Sequence, residues 1–347
     1  MKDLIALFSC AKNEHIYITE WIYYHLKIGF DHIFVCDTSD DSNMKNCTFN
    51  LDSRITLLKE PLNGREFGHL QYNLQTKYNE SIKKTYKWCS FIDIDEFIVL
   101  KQHKLIKDFL KSINFNTGSL GINWVLFGNN NEEKYNNKPV IKRFTKCDSK
   151  YDRHIKCIVD TNSVEKFTNQ HFAVLSKGNQ VNEKGNIYKI GPWQDNSSID
   201  FIQINHYVVK STEEYLKRTK NHHCRTADNI EHFRYHNRNN ITDLTAYNFL
   251  LRNTQHKHID EIDYEFYVQY YDDLLINGIF NKDLAYKHFK TNNEKESRIC
   301  NLNFDYNYYK LNNSDLTTMT NIQLWNHFKN NGLKEKRKYK HINQLNE

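Results

Sequence analysis

No apolar run in this 347-residue chain approaches the ~20 residues that a membrane-spanning helix needs. None of the eight cysteines stands in a C-x-x-C pair, so zinc ribbons and dithiol redox motifs find no support. The start, MKDLIALFSCAKNE, lacks the long apolar core and small-residue cleavage site of a signal peptide, because Lys12 and Glu14 interrupt it. Reduced thiols and a cytoplasmic location are therefore expected. A large excess of one charge is also missing. The formal net charge is +6 and evenly spread, which solubility explains without a nucleic-acid partner. The tail LKEKRKYKH (Leu333 to His341) is the one local basic cluster and allows at most peripheral contact with acidic lipid. What is present is a globular composition, 39% hydrophobic and 26% charged, long enough for one large domain or two.

The N-terminal part alternates strand and helix patterns. Strands are expected at Leu4–Ser9, His32–Cys36, Ile55–Leu58 and Cys89–Ile92, with helices over Glu14–Ile28, closed by Gly29, and over about Phe67–Tyr86. This β-α-β order predicts a mostly parallel sheet covered by helices. Further strands are expected at Gly121–Phe127, His154–Val159 and Phe201–Tyr207, and helices at Glu213–Lys220 and Asp243–Leu251. The last eighty or so residues are self-similar. His288-Phe289-Lys290 returns as His327-Phe328-Lys329 and Glu296-x-Arg298 as Glu335-x-Arg337, while Tyr270-Tyr271 reappears as Tyr308-Tyr309, one residue out of step. The expected organisation is a domain over residues 1–258 followed by a helical repeat region over 259–347, with units at about 264–300 and 304–339.

The stretch WCSFIDIDEFIVL, Trp88 to Leu100, places Asp93, Asp95 and Glu96 inside an otherwise apolar run. Buried and unpaired, each carboxylate would cost several kcal/mol. The run must end at a surface or meet positive charge. Residues two apart on a strand share one side, roughly 7 Å from each other, and open α/β sheets bind ligands beyond the carboxyl ends of their strands. Asp93 and Asp95 there suit a divalent cation that also holds phosphate oxygens, Mg²⁺ or Mn²⁺. Asp37, ending the second strand, and Asn13 and Glu14, ending the first, fall on the same expected edge.

Together these residues resemble the family 2/family 92-like glycosyltransferases of the GT-A fold. The resemblance rests on Lys12-Asn13-Glu14, Glu20-Trp21, Tyr24-His25, Gly29, Asp31-His32 and Asp37, and on Asp93 to Phe97. It continues through Asn123-Trp124, Phe127-Gly128, Lys156, Asn205-His206-Tyr207 and Lys210-Ser211, covering roughly residues 3 to 220. Thr38 departs from it, since the family usually has Asn there. The tail resembles a Tyr-Tyr…His-Phe…Glu-x-Arg module appended to other glycosyltransferases. The resemblance implies an α/β, Rossmann-like GT-A domain with a small C-terminal helical repeat region. It implies hexosyltransferase-like transfer, with inversion, from a UDP- or GDP-sugar to a glycan or other hydroxyl. Mn²⁺ or Mg²⁺ would be held by Asp95, Asp93 and His206. Asn13, Glu14, Asp37 and Lys156 would meet the nucleotide. The repeats would serve a homo-oligomer or a partner enzyme.

An inverting enzyme needs a general base. Asp152, Asp195 and Asp200 follow the metal motif, and Asp152 is the candidate carried forward. Trp124 and Trp193 are candidates for stacking on sugar rings. The run His222-His223-Cys224 lacks a partner pair at zinc spacing and reads as loop. Two other classes use the same letters: a nucleotidyltransferase built on the carboxylate pair, and a non-catalytic glycan-binding or scaffold protein whose repeats do the work.

Overall fold

Strand β1 (Ile5–Ala11) is buried along its whole length, as a strand covered on both faces must be. It pairs in parallel with β2 (His32–Asp37) and with β4 (Trp88–Phe91), and β2 pairs in parallel with β3 (Ile55–Lys59). Helices α1 (Ile18–Lys27) and α2 (Phe67–Ile82) make the crossovers. The structure, a computed structural model, describes residues 3–41, 43–47, 52–113, 116–220, 229–252, 262–296, 298, 300, 301 and 304–339. The chain divides into two compact units, Met1–Tyr247 and Asn248–Glu347. The expected boundary at 258/259 and the run His222-His223-Cys224 lie outside the described residues, as do the last two residues of the basic cluster.

The first unit continues with β5 (Glu96–Leu100), α3 (Ile106–Lys111), β6 (Thr117–Leu126), α4 (Val140–Arg143), β7 (Lys146–Cys147) and β8 (Asp152–Asp160). Then come β9 (Val164–Asn169), β10 (Phe172–Leu175), β11 (Asn179–Val181), β12 (Ile202–His206), α5 (Thr212–Lys220), α6 (Asn229–His236) and β13 (Ile241–Thr242), and α7 (Thr245–Arg252) runs across the boundary into the second unit. The main sheet has the order β3-β2-β1-β4-β8-β6-β12-β5, with β11 attached to β6. Strand β8 runs antiparallel to both β4 and β6, and β12 runs parallel to β6. The carboxyl ends of β1, β2, β4 and β12 and the start of β8 therefore share one edge. The parallel expectation holds for the first four strands, and the rest of the sheet is mixed.

The expected strand over Cys89–Ile92 is β4, which stops at Phe91, and past the carboxylates a strand that was not expected, β5, opens at Glu96 on the far edge, antiparallel to β12. Four inter-strand steps of ~4.8 Å separate β4 from β5 on a flat sheet, yet only Ile92 to Asp95 connect them, so the sheet curls to bring its far edge round. Two hydrogen bonds fix the turn: Glu96 N donates to Asp93 O (3.1 Å) and Tyr207 N to Asp95 O (2.8 Å). Helix α1 braces the curl. Trp21 Nε1 donates to Glu96 O (2.8 Å), and His25 bridges Trp21 O and Ile98 N. Burial pushes His25 down to about 3, so it is a neutral bridging imidazole.

Glu20, also on α1, is buried and accepts from Val140 N (2.7 Å) and Ile141 N (3.0 Å), closing the start of α4. Burial raises its carboxyl to about 7 despite those bonds. A carboxyl raised in the folded state favours that state in acid, and its contribution is lost as pH rises from about 4.5 to about 7. Unfolding free energy should fall by about 1–3 kcal/mol between about pH 5 and about pH 8 from this group. Glu20→Gln should flatten that slope in urea titrations; an unchanged slope would show that another group carries it.

The cysteines among the described residues form no disulfide, and most pack as small apolar groups. Cys10, Cys36, Cys89 and Cys157 join Phe8, Phe91, Leu70 and Leu74 in the core between the sheet and α2. No helix among the described residues is long and apolar enough to cross a membrane.

The second unit contains α8 (Tyr264–Tyr270), α9 (Asp272–Ile276), α10 (Lys282–Glu296), α11 (Tyr306–Leu311) and α12 (Asn321–His327). One set of contacts occurs twice. Asp263 caps α8 through Phe266 N, and Asp305 caps α11 through Tyr308 N. Tyr267 Oη lies 3.0 Å from His288 Nδ1, and Tyr309 Oη 3.0 Å from His327 Nδ1. Arg298 pairs with Asp273 and Glu296, and Arg337 with Asp315 and Glu335. These contacts match Tyr309 with Tyr267, correcting the sequence pairing of Tyr308-Tyr309 with Tyr270-Tyr271. The reason is the caps: each aspartate starts its helix four residues before the tyrosine that reaches the histidine.

Candidate functional site

The polar strand ends converge as the topology requires. Asp93 leaves β4 with both oxygens engaged: Gln71 Nε2 of α2 donates to Oδ1 (2.6 Å), and Lys156 Nζ of β8 lies 2.7 Å from Oδ2. Lys156 is buried and also stands 3.7 Å from Glu96. Burial alone would lower its ammonium; Asp93 and Glu96 outweigh that and raise it above its ordinary range. Burial raises Glu96 well above the usual carboxylate range, against the pull of Lys156. The carboxylates thus do meet positive charge, and much of it comes from the chain itself.

Asp95 is buried and held differently. Arg218 Nη1 of α5 donates to Oδ2 (2.6 Å), while His206 Nε2, at the end of β12, lies 3.8 Å from Oδ1. Burial would raise this carboxyl, but the charges of Arg218 and Lys210 override it and hold it far below its ordinary range. His206 is pushed well below its ordinary value by burial, so its imidazole is neutral. Its Nδ1 is buried without a hydrogen-bond partner among the described residues.

Asp93, Asp95 and His206 do not converge as a three-ligand set, and no group of three or more His, Cys, Asp or Glu does so among the described residues. The pairings explain why: Lys156 and Gln71 saturate Asp93. The donor set that fits a divalent cation is narrower. Asp95 Oδ1 and the neutral His206 Nε2 are spaced as two ligands of one ion can be, with metal bonds of about 2.1 Å each.

Arg218, the partner of Asp95, lines a cavity of about 300 Å³ together with Lys12, Glu14, Tyr17, Lys210 and Lys217, among others. Asn13 (φ 59°) and Lys210 (φ 50°) at its wall both take the left-handed backbone region. Asn tolerates it, while for Lys it costs of order 1 kcal/mol, a strain found at functional sites. Burial raises Glu14, opposed by Lys210 and Arg218. Asp37 is buried behind this wall: Lys59 Nζ (2.9 Å) and Ser39 N (2.9 Å) occupy its oxygens, and Ser39 Oγ accepts from Asn13 N (2.8 Å). Asp37 therefore shapes the turn that presents Asn13.

Asp152 opens β8 on the same edge. Its carboxylate accepts from His154 N (2.8 Å), from His154 Nδ1 (2.6 Å) and from Tyr235 Oη. Asp195 pairs with Arg153 and Asp200 with Lys184. Sequence reasoning missed Arg218, Gln71, His154 and the buried pair Arg143–Glu214. One signal was legible: Ser211-x-x-Glu214 is a capping box opening α5, and Arg218 follows Glu214 by one helical turn, on the same face.

This is an α/β protein whose strand ends gather a carboxylate, an imidazole and several cations around one cleft. Residues 79–267, more than half of the chain, match the model of glycosyltransferase family 92, and the chain belongs to that family. A glycosyltransferase family 92 protein of Oryza sativa subsp. japonica is 26% identical over 143 residues, 40% of this chain and 24% of the rice protein. The chain thus spans about a quarter of that relative's length. Among solved structures, HddC from Yersinia pseudotuberculosis aligns at a TM-score of 0.31 and 8% identity, covering 62% of this chain and 98% of that one. An active-site mutant of LgtC aligns at 0.28 and 13%, covering 45% and 57%. Likenesses this low carry no argument for fold or chemistry.

Proposed function

We propose that this glycosyltransferase moves a sugar, with inversion, from a UDP- or GDP-sugar to a hydroxyl of a glycan, with Mn²⁺ or Mg²⁺ bound at Asp95 and His206. The observation that carries the reading is Asp95, buried between His206 and Arg218, with Arg218 in turn lining a cleft beside Lys12, Lys210 and Lys217. A diphosphate leaving group gains negative charge as the glycosidic bond breaks, and preplaced cations stabilise that charge without reorganising. A cation at Asp95 and His206 would add charge neutralisation for the same oxygens. An imidazole ligand favours Mn²⁺ over Mg²⁺, which prefers oxygen. Asn13 and Glu14 line the cleft where ribose and base would enter, and Asp37 holds Asn13 in place. Lys156 keeps Asp93 fixed behind them.

The test is product analysis with UDP- and GDP-sugars and either metal. Free nucleoside diphosphate is the expected product, with the transferred sugar inverted by proton NMR. Pyrophosphate release would replace this reading with nucleotidyl transfer. Glycan binding without turnover of any donor would replace it with a scaffold.

A further inference from the structure

Trp124 joins the Asp95 site to a second polar group. Its ring centroid lies 4.2 Å from that of His206 and 5.0 Å from that of His154, on which it stacks. In the β6–β8 register Asn123 faces Ile155 but Trp124 faces Asp152, so Arg153 and His154 bulge from β8 without partners on β6. Bulges of this kind re-aim side chains. Here the bulge folds His154 back so that both its N–H and Nδ1 meet Asp152. That fixes the tautomer with the proton on Nδ1 and leaves Nε2 as the basic nitrogen. Nε2 has no hydrogen-bond partner among the described residues, and the side chain is 32% exposed. His154 also shares its strand face with Lys156, two residues on, which grips Asp93. The exposed indole of Trp193 lies 6.1 Å from the His154 ring.

We propose that His154 is the general base that deprotonates the acceptor, that Asp152 positions it, and that the acceptor is a pyranoside laid over Trp193. This rests on the transferase reading. The acceptor O–H proton passes to His154 Nε2 while the oxygen bonds to the anomeric carbon. The bond from that carbon to the diphosphate breaks, and its electron pair leaves on the nucleoside diphosphate. Asp152 stays ionised opposite the imidazolium. Burial would raise Asp152, but the bonds from His154 and Tyr235 outweigh it and hold it well below the usual carboxylate range.

Among the described residues, the titratable and charged groups around the imidazole are Asp152, Arg153 and Lys156 on its own strand, and His171 from the β9–β10 turn, 5.8 Å away between centroids. Tyr235 of α6 and Asp195 reach it only through Asp152 and Arg153. His171 is pushed down to about 3 by burial and by Lys156, so it stays neutral and does not compete for the proton.

The experiment uses the full chain, a UDP- or GDP-sugar donor and p-nitrophenyl pyranosides as acceptor probes. His154→Gln should lower kcat for transfer by about 10²–10⁴-fold, the usual worth of a general base. It should also remove the acidic limb of the pH profile while leaving UDP or GDP affinity, by calorimetry, within about twofold. Asp152→Asn should lower kcat with UDP or GDP affinity unchanged, because the imidazole loses the partner that orients it. Added imidazole should partly rescue His154→Gly. Transfer by His154→Gln within about threefold of wild type, with the limb intact, would overturn the base assignment and leave the transferase reading standing. A wild-type chain that binds neither UDP nor GDP and transfers to no probe would overturn both.

Discussion

Asp95→Asn is expected to lower donor turnover on the order of 10³-fold, the several kcal/mol that a bound cation lends to a transition state's charge. The substitution keeps the volume and removes the charge. Arg218 would lose its ionic partner at 2.6 Å, and His206 the carboxylate at 3.8 Å. The cations around it, Arg218 and Lys210, would then repel one another with less negative charge beside them to offset it. Arg218 is 38% exposed, so it can turn to solvent, and the fold should survive. Circular dichroism checks the fold, and nucleoside diphosphate release checks the chemistry. A folded variant that works within about tenfold of wild type would remove Asp95 from the site.

The second large effect falls on stability. The Arg143 side chain is 1% exposed and makes a two-pronged pair with Glu214, both contacts at 2.8 Å. Glu214 also accepts from Tyr17 Oη (2.7 Å) and from Ser211 at the start of α5. Arg143→Met fills similar space but strands a buried carboxylate, and such losses cost about 3–5 kcal/mol. The loss should read directly in urea unfolding near neutral pH. It also has a pH signature. Burial would raise Glu214, but Arg143 outweighs it and brings it to about 2. A lowered carboxyl stabilises the native state above its unfolded value, and that benefit disappears as pH falls from about 4.5 toward about 2. The variant should lose this acid-side slope. A cost under about 1 kcal/mol would mean the pair is not load-sharing between α4 and α5.

Much of the first unit was readable in advance, because a hydrophobic period is a local property. The strands at Ile5–Ala11, His32–Asp37 and Ile55–Lys59 follow from short apolar runs, and Gly29 (φ 102°) closes the α1 turn in a conformation that glycine adopts freely. Other boundaries shifted where tertiary contacts intervened. The helix expected from Glu14 begins at Ile18, because Asn13 takes the left-handed region and Ser39 holds its N–H. The apolar residues Ile98, Val99 and Leu100, beyond the expected strand Cys89–Ile92, form a strand of their own that pairs with β12.

The sequence by itself determined that carboxylates would leave the fourth strand at the edge shared by Asn13 and Asp37. Strand alternation and the β-α-β order leave little choice there. Only the tertiary structure decided what those carboxylates meet. Lys156 reaches Asp93 across 63 residues of chain, and Arg218 reaches Asp95 across 123. Such partners are set by strand order and by the curl of the sheet, which no local pattern encodes. Desolvation then makes the choice of partner binding, since a buried charge tolerates no vacancy beside it.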